Sequence, residues 1–173
     1  VIHRSRETAS NMSKGINFLM KKNQITVING FATLENNKTV KVVDSNQKES
    51  KYSAKHIIIS TGARSRELPH LTQNGKNIIG YREALSLKNM PKSMIVVGSG
   101  AIGVEFAYFY NAMGTKVTIV EYLSKIVPNE DDEISKELAK NLKKKGIEIL
   151  TESTVTHVEE KKNSSTVTVQ TKN

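Results

Sequence analysis

Cysteine and tryptophan are both absent from the 173 residues. No disulfide, thiolate nucleophile or cysteine-ligated metal can form within the chain. The lack of disulfides fits a reducing compartment, and a cytoplasmic location is expected. Aromatic residues are 5% of the sequence. They are seldom interleaved with the basic residues, which argues against a nucleic-acid surface. No apolar run is long enough to span a bilayer, so no membrane association is expected. Val1-Ile2-His3-Arg4 leads into no apolar signal core, and the first residue is not Met, so a trimmed or internal start is expected. Acidic residues are outnumbered 17 to 26, for a net charge of +9. The densest basic run, Lys143-Lys144-Lys145, closes an expected helix, where cations suit the helix dipole. The excess reads mainly as solvated surface, with a patch for an acidic partner protein as the other option.

Apolar residues at Ala9, Met12, Ile16, Leu19 and Met20 predict a helix over 4–22. Short strands are expected at Ile25–Ile28 and Thr39–Val43, with an apolar thread at Phe31 and Leu34. Asp44–Glu49 reads as a polar turn. Tyr52 leads into His56–Ser60, where the run Ile57-Ile58-Ile59 predicts a strand buried on both faces. Residues 64–80 read as irregular, Tyr81–Leu87 as a short helix, and the Pro91-containing stretch Lys88–Lys92 as a boundary. Beyond it the pattern is a strand at Met94–Val97, a helix at Ala101–Met113, a strand at Val117–Val120, a helix at Asp131–Lys145 and a strand at Ile147–Leu150. Ile134, Leu138 and Leu142 are expected to share the buried face of the second helix. This is an α/β, Rossmann-like βαβαβ dinucleotide-binding unit. Thr154–Val158 and Thr166–Thr171 follow as antiparallel strands.

Gly98-Ser99-Gly100-Ala101-Ile102-Gly103 lies where a strand turns into a helix, and Glu121 ends the next strand. That is the full context of the dinucleotide fingerprint. Gly98 permits the tight turn, Gly100 admits a pyrophosphate to the backbone, and Gly103 lets the helix pack closely. The helix start offers N–H groups and partial positive charge to phosphates. Glu121 can accept from ribose hydroxyls and would repel a 2′-phosphate, so NAD is expected over its phosphorylated form. On residues alone Glu105 is a solvent-facing helical residue.

Gly98–Ala107, Val120-Glu121 and Thr61-Gly62-Ala63-Arg64 resemble the pyridine-nucleotide disulfide oxidoreductases, which are FAD-dependent and carry an NAD domain inserted into an FAD domain. Thr61–Glu83, Ser93–Tyr110 and the helix ending at Met12-Ser13-Lys14-Gly15 look most like the dihydrolipoamide-oxidising branch. The resemblance implies that residues 1–89 are part of an FAD-binding domain and 90–173 an NAD-binding domain lacking its last strand. It implies NAD contacts at Gly98, Ser99, Gly100, Ala101, Ile102, Gly103, Glu105 and Glu121, with Glu105 near the nicotinamide and flavin. It implies FAD contacts at Ala32, Thr61, Gly62 and Ala63, which on residues alone are a strand end and a turn. A homodimer, and lipoyl domains of 2-oxo acid dehydrogenase complexes as partners, are implied as well. The family's redox cysteine pair and a second GxGxxG have no counterpart here. None of His3, His56, His70 and His157 matches its catalytic histidine; each is expected at the surface or a strand edge. An internal piece of such an enzyme, inactive alone, is therefore expected. A related flavin-dependent NADH oxidoreductase and a non-catalytic NAD-binding module are the alternatives.

Overall fold

The computed structural model describes residues 1–68, 70–162 and 164–172. Packing divides the chain into two compact units, essentially His3–Arg64 and Ser65–Asn173.

The first unit opens with helix α1 (Ile2–Lys22), whose last turn carries Lys21 and Lys22 where cations favour the dipole. No residue of α1 is buried, and Met12, Ile16, Phe18 and Leu19 on it are exposed. Strands β1 (Phe31–Asn36), β2 (Thr39–Val43) and β3 (Glu49–Ser53) form an antiparallel sheet in that order. The β2–β3 turn is set by Asp44, whose Oδ1 accepts from the amides of Asn46 (2.8 Å) and Lys48 (2.9 Å). Short side chains that bond their own backbone favour such turns over regular structure.

Two expected strands are not found. Ile25–Ile28 and His56–Ser60 are irregular, and Ile58 is 89% exposed. A β-branched run becomes a buried strand only when neighbours pair with it and cover its faces. No strand among the described residues pairs with either run.

The second unit begins with a loop organised by Asn74. Its Oδ1 accepts from the amides of Lys76, Asn77 and Ile78, and its Nδ2 donates to Glu160 (2.7 Å). Helix α2 (Tyr81–Ala84) follows, with Glu83 reaching back to the Gly80 amide (3.0 Å). Strands β4 (Ser93–Val97), β5 (Lys116–Val120) and β6 (Glu148–Leu150) then form a parallel sheet in the order β4-β5-β6. They are joined by helices α3 (Ala101–Ala112) and α4 (Asp132–Lys144), which gives the expected βαβαβ connectivity. Strands β7 (Ser153–Glu160) and β8 (Ser165–Thr171) form an antiparallel hairpin.

The core of this unit gathers Val104, Ala107 and Tyr110 of α3, Val117 and Ile119 of β5, Leu142 of α4 and Ile147 before β6. Ala84 belongs to the same cluster, with Ile79 and Leu87 packed against it. The packing division therefore falls earlier in the chain than the Lys88–Lys92 boundary read from the sequence. The segment before that boundary places Ala84, Ile79 and Leu87 at the core of the second unit, where Tyr110 of α3 donates to the Ala84 carbonyl. Helix α4 differs from expectation at one position. Leu142 is buried and Leu138 partly so, but Ile134 is 61% exposed and Ser135 is buried instead. Positions 135, 138, 139 and 142 make a better 3.6-residue stripe than one containing 134. The Ser135 hydroxyl is accommodated by the Val127 carbonyl (3.4 Å).

Tyr110 is 1% exposed and donates its phenol to the Ala84 carbonyl at 2.5 Å. Burial pushes the phenol pKa up, so the group stays a neutral donor. Tyr110→Phe should leave that carbonyl unpaired and lower unfolding stability by about 1–3 kcal/mol. Denaturant melts of the two proteins check this, and equal midpoints would show that the bond contributes nothing.

Candidate functional site

The site lies at the carboxyl ends of β4 and β5. Gly98 continues the ladder by one bond, its amide donating to the Val120 carbonyl at 2.8 Å. It then turns sharply with φ +96, a conformation nearly closed to other residues. Gly103, one turn into α3, sits against that turn. An added Cβ there would overlap the Gly98 carbonyl oxygen and stand 3.4 Å from Val96 Cγ1. The helix can seat on the loop only because residue 103 has no side chain.

Gly100 is different. It caps α3 with φ −63, which any residue adopts, and an added Cβ would meet nothing within 4 Å. The protein itself gives no steric reason for glycine at this position. A ligand approaching the backbone would supply one, so this open cradle fits a pyrophosphate. The first i→i−4 bond of α3 runs from the Val104 amide to the Gly100 carbonyl (3.0 Å). Among the described residues no side chain caps the helix. The amides at Ala101, Ile102 and Gly103 therefore have no partner inside the helix. Ile102 is 62% exposed beside them. Glu105 is also exposed, one turn further along, on the face it shares with Ala101.

Glu121 extends β5 and is 7% exposed. Its amide donates to the Leu150 carbonyl (2.8 Å), and its carbonyl accepts from the Ser153 amide (2.9 Å). The side chain turns into the glycine loop. Oε2 accepts both the Ser99 amide (2.8 Å) and the Ser99 hydroxyl (2.6 Å), while Oε1 accepts the Leu123 amide (2.8 Å). A carboxylate has about four acceptor positions, so these bonds leave roughly one on Oε1. Ser99 is fully buried, and its carbonyl accepts from the Val127 amide (2.9 Å). All three of its polar groups are thus engaged within the protein.

The sequence pattern located Ser99 and Glu121 but did not show that they bond each other. A small hydroxyl between two glycines, ahead of a strand-end glutamate, was the available signal. The turn Val127–Glu130, closed by the Glu130 amide on the Val127 carbonyl (2.9 Å), is not among the elements expected from the sequence, although proline at the second position, Pro128, is a turn signature. Beside that turn, Lys125 Nζ donates to the Glu130 carbonyl and to Asp132 Oδ1, both at 2.6 Å. The lysine holds the Asp132 carboxyl below its ordinary range.

The four residues expected at FAD lie in the first unit. Ala32 is on β1 opposite Val42, and Thr61, Gly62 and Ala63 form an exposed irregular stretch with Gly62 at φ +78. No hydrogen bond joins Ala32 to that stretch among the described residues. An open hollow of about 340 Å³ lies between the start of β1 and the end of β2, lined by Asn29, Gly30, Phe31, Val43, Asp44 and Ser45 and not by Ala32. His3, His56, His70 and His157 are all exposed, as expected.

Comparison with known proteins places the chain in a family. Residues 2–173 match the family model described as pyridine nucleotide-disulphide oxidoreductase. The dihydrolipoyl dehydrogenase of Zymomonas mobilis is 46% identical over 88% of this chain and 33% of its own length. That of Rhizobium etli is 44% identical over 99% of this chain and 38% of its own. The chain therefore spans about a third of the length of these relatives. Among solved structures, LpdA from Mycobacterium tuberculosis superposes with a TM-score of 0.88 at 25% identity, covering 97% of this chain and 38% of that one. The HOCl-induced flavoprotein disulfide reductase RclA from Escherichia coli gives 0.71 at 28%, covering 96% and 41%. By its sequence match and its fold, the chain belongs to the pyridine nucleotide-disulphide oxidoreductase family.

Proposed function

We propose that this chain provides the NAD site and part of the FAD site of a dihydrolipoyl dehydrogenase. The parent reaction would be oxidation of dihydrolipoamide to lipoamide with reduction of NAD+, through FAD and a redox-active disulfide. The observation that carries the reading is Gly100, a glycine with ordinary φ and open space above it, at the start of a helix whose first amides have no intrahelical partner and, among the described residues, no side-chain cap. Dinucleotide phosphates fit that arrangement.

In this reading the segment 90–173 binds NAD. Gly98, Ser99 and Gly100 shape the cradle, Ala101, Ile102 and Gly103 present amides, and Glu121 uses its remaining acceptor position on the adenosine ribose. Exposed Glu105 lies toward the nicotinamide and flavin. The segment 1–89 contributes to FAD binding through Ala32 and through Thr61, Gly62 and Ala63, where small side chains allow close approach. The bound cofactors supply the redox chemistry, and the residues here hold and orient them. The chain contains no cysteine, so the disulfide belongs to residues outside this sequence, as does the catalytic histidine. The chain alone would then be inactive. Lipoyl domains of 2-oxo acid dehydrogenase complexes as partners, a homodimeric parent and a cytoplasmic setting complete the proposal. No helix among the described residues is long and apolar enough to cross a membrane. The likeness to RclA supports a second reading, a flavoprotein disulfide reductase with another substrate. Dihydrolipoamide-dependent NAD+ reduction by the longest polypeptide carrying this sequence separates the two.

Two substitutions test the site. The Cβ of Gly100→Val would meet no heavy atom within 4 Å, so the change should cost about 1 kcal/mol of stability through the lost cap preference. It should abolish NADH binding in a calorimetric titration, and normal affinity would place the cradle elsewhere. Glu121→Gln keeps the shape of the side chain and removes its charge. Bonds to charged groups contribute about 1.5–3 kcal/mol, so NADH binding should weaken roughly ten-fold or more. The gap to NADPH should narrow, and an unchanged NADH-to-NADPH ratio would remove Glu121 from selectivity.

A further inference from the structure

Val127 has φ +40. A β-branched residue in the left-handed region is a backbone outlier. Gln24, Gln47 and Glu152 also have positive φ, but they are exposed, whereas Val127 is 8% exposed and belongs to the core cluster. Its amide donates to the Ser99 carbonyl (2.9 Å), and its carbonyl accepts from the Glu130 amide (2.9 Å) and the Ser135 hydroxyl (3.4 Å). Pro128 follows and disfavours the right-handed helical region at residue 127. Such strain costs on the order of 1–3 kcal/mol and persists only where the surroundings over-determine it. Here side-chain burial and three hydrogen bonds do so. Ser99 is wholly buried, with its amide and hydroxyl on Glu121, so Val127 is the partner of its remaining polar group. If Val127 relaxed to negative φ, its amide would swing away from the Ser99 carbonyl. That carbonyl is part of the peptide leading to Gly100.

We propose that Val127 is a positioning residue for the dinucleotide cradle: its left-handed backbone aims one amide at Ser99 and fixes where the Gly100 backbone meets the phosphates. This rests on the reading that Gly98–Gly103 binds a dinucleotide. What the cradle needs is the backbone conformation, and the valine side chain serves by packing that conformation in place.

Val127→Ala and Val127→Gly separate backbone from packing, because both remove the buried isopropyl group but only glycine adopts positive φ without penalty. NADH titration of wild type and both variants is the readout, in the longest polypeptide that carries this sequence, with thermal midpoints recorded alongside. Val127→Ala should bind NADH more weakly than Val127→Gly, by about five-fold or more, since a left-handed conformation costs alanine what it does not cost glycine. A purely structural role predicts that affinity follows the loss of thermal stability in both variants. That result, or equal affinities, overturns the proposal. Failure of wild type to bind NADH overturns the cradle reading and this inference with it. Should either variant not fold, amide hydrogen exchange in wild type decides. The Val127 amide should be protected and should slow further with NADH, and rapid exchange unaffected by NADH would refute the brace.

Discussion

A buried carboxylate bonded to both donors of one serine organises the nucleotide-binding unit. Glu121 is nearly inaccessible, and its Oε2 takes the amide and the hydroxyl of Ser99. An ionised group removed from water must be compensated by close donors. Once formed, such charge-assisted bonds resist rearrangement. The ends of β4 and β5 are therefore tied by side chain as well as by the ladder bond from Gly98 to Val120. Removing the carboxylate would leave two buried donors on Ser99 without partners. The cradle and the strand end hold their relative position before any ligand arrives, and a preorganised site avoids an ordering cost on binding.

The three glycines of the loop answer to different constraints. Gly98 is required by its dihedral angle and Gly103 by the carbonyl it rests on, so both would be glycine even if nothing bound. Gly100 meets neither demand. An internal explanation for the first and last glycines and none for the middle one points outside the protein. The helix start supplies the matching polarity, with amides that lack intrahelical partners. The hairpin adds support from the other side, since Ser153 and Glu152 donate their amides to the carbonyls of Glu121 and Leu123.

The βαβαβ order, the loop and its glutamate were legible because each rests on local signals: hydrophobic period, glycine at a strand–helix junction, and residues suited to helix ends. Other features depend on contacts the pattern does not encode. Ile57-Ile58-Ile59 has the composition of a buried strand, yet composition cannot provide neighbours to pair with. Ile134 shares an i, i+4, i+8 spacing with Leu138 and Leu142, but Ser135 takes the buried position, with its hydroxyl on the Val127 carbonyl. The internal use of Ser99 was hidden for the same reason. A fingerprint marks which residues surround a ligand and says nothing about which of them are already bonded to one another.

The two units differ in how far they satisfy themselves. In the second, Ala107, Val117 and Ile119 are fully enclosed, and βαβαβ packing closes a core around them. In the first, α1 buries nothing, and Met12, Phe18, Ile25, Val27, Ile58 and Ile59 are exposed. Apolar surface on that scale is unfavourable in water and marks an interaction face. On the proposed reading, the rest of an FAD domain in a polypeptide of the relatives' length, about three times longer, would cover it. The exposed isoleucine run would then gain the strands it lacks here. On the proposed reading the same physics explains both halves: the nucleotide cradle is complete where the chain contains its own partners, and the FAD half is open where the partners lie elsewhere in the polypeptide.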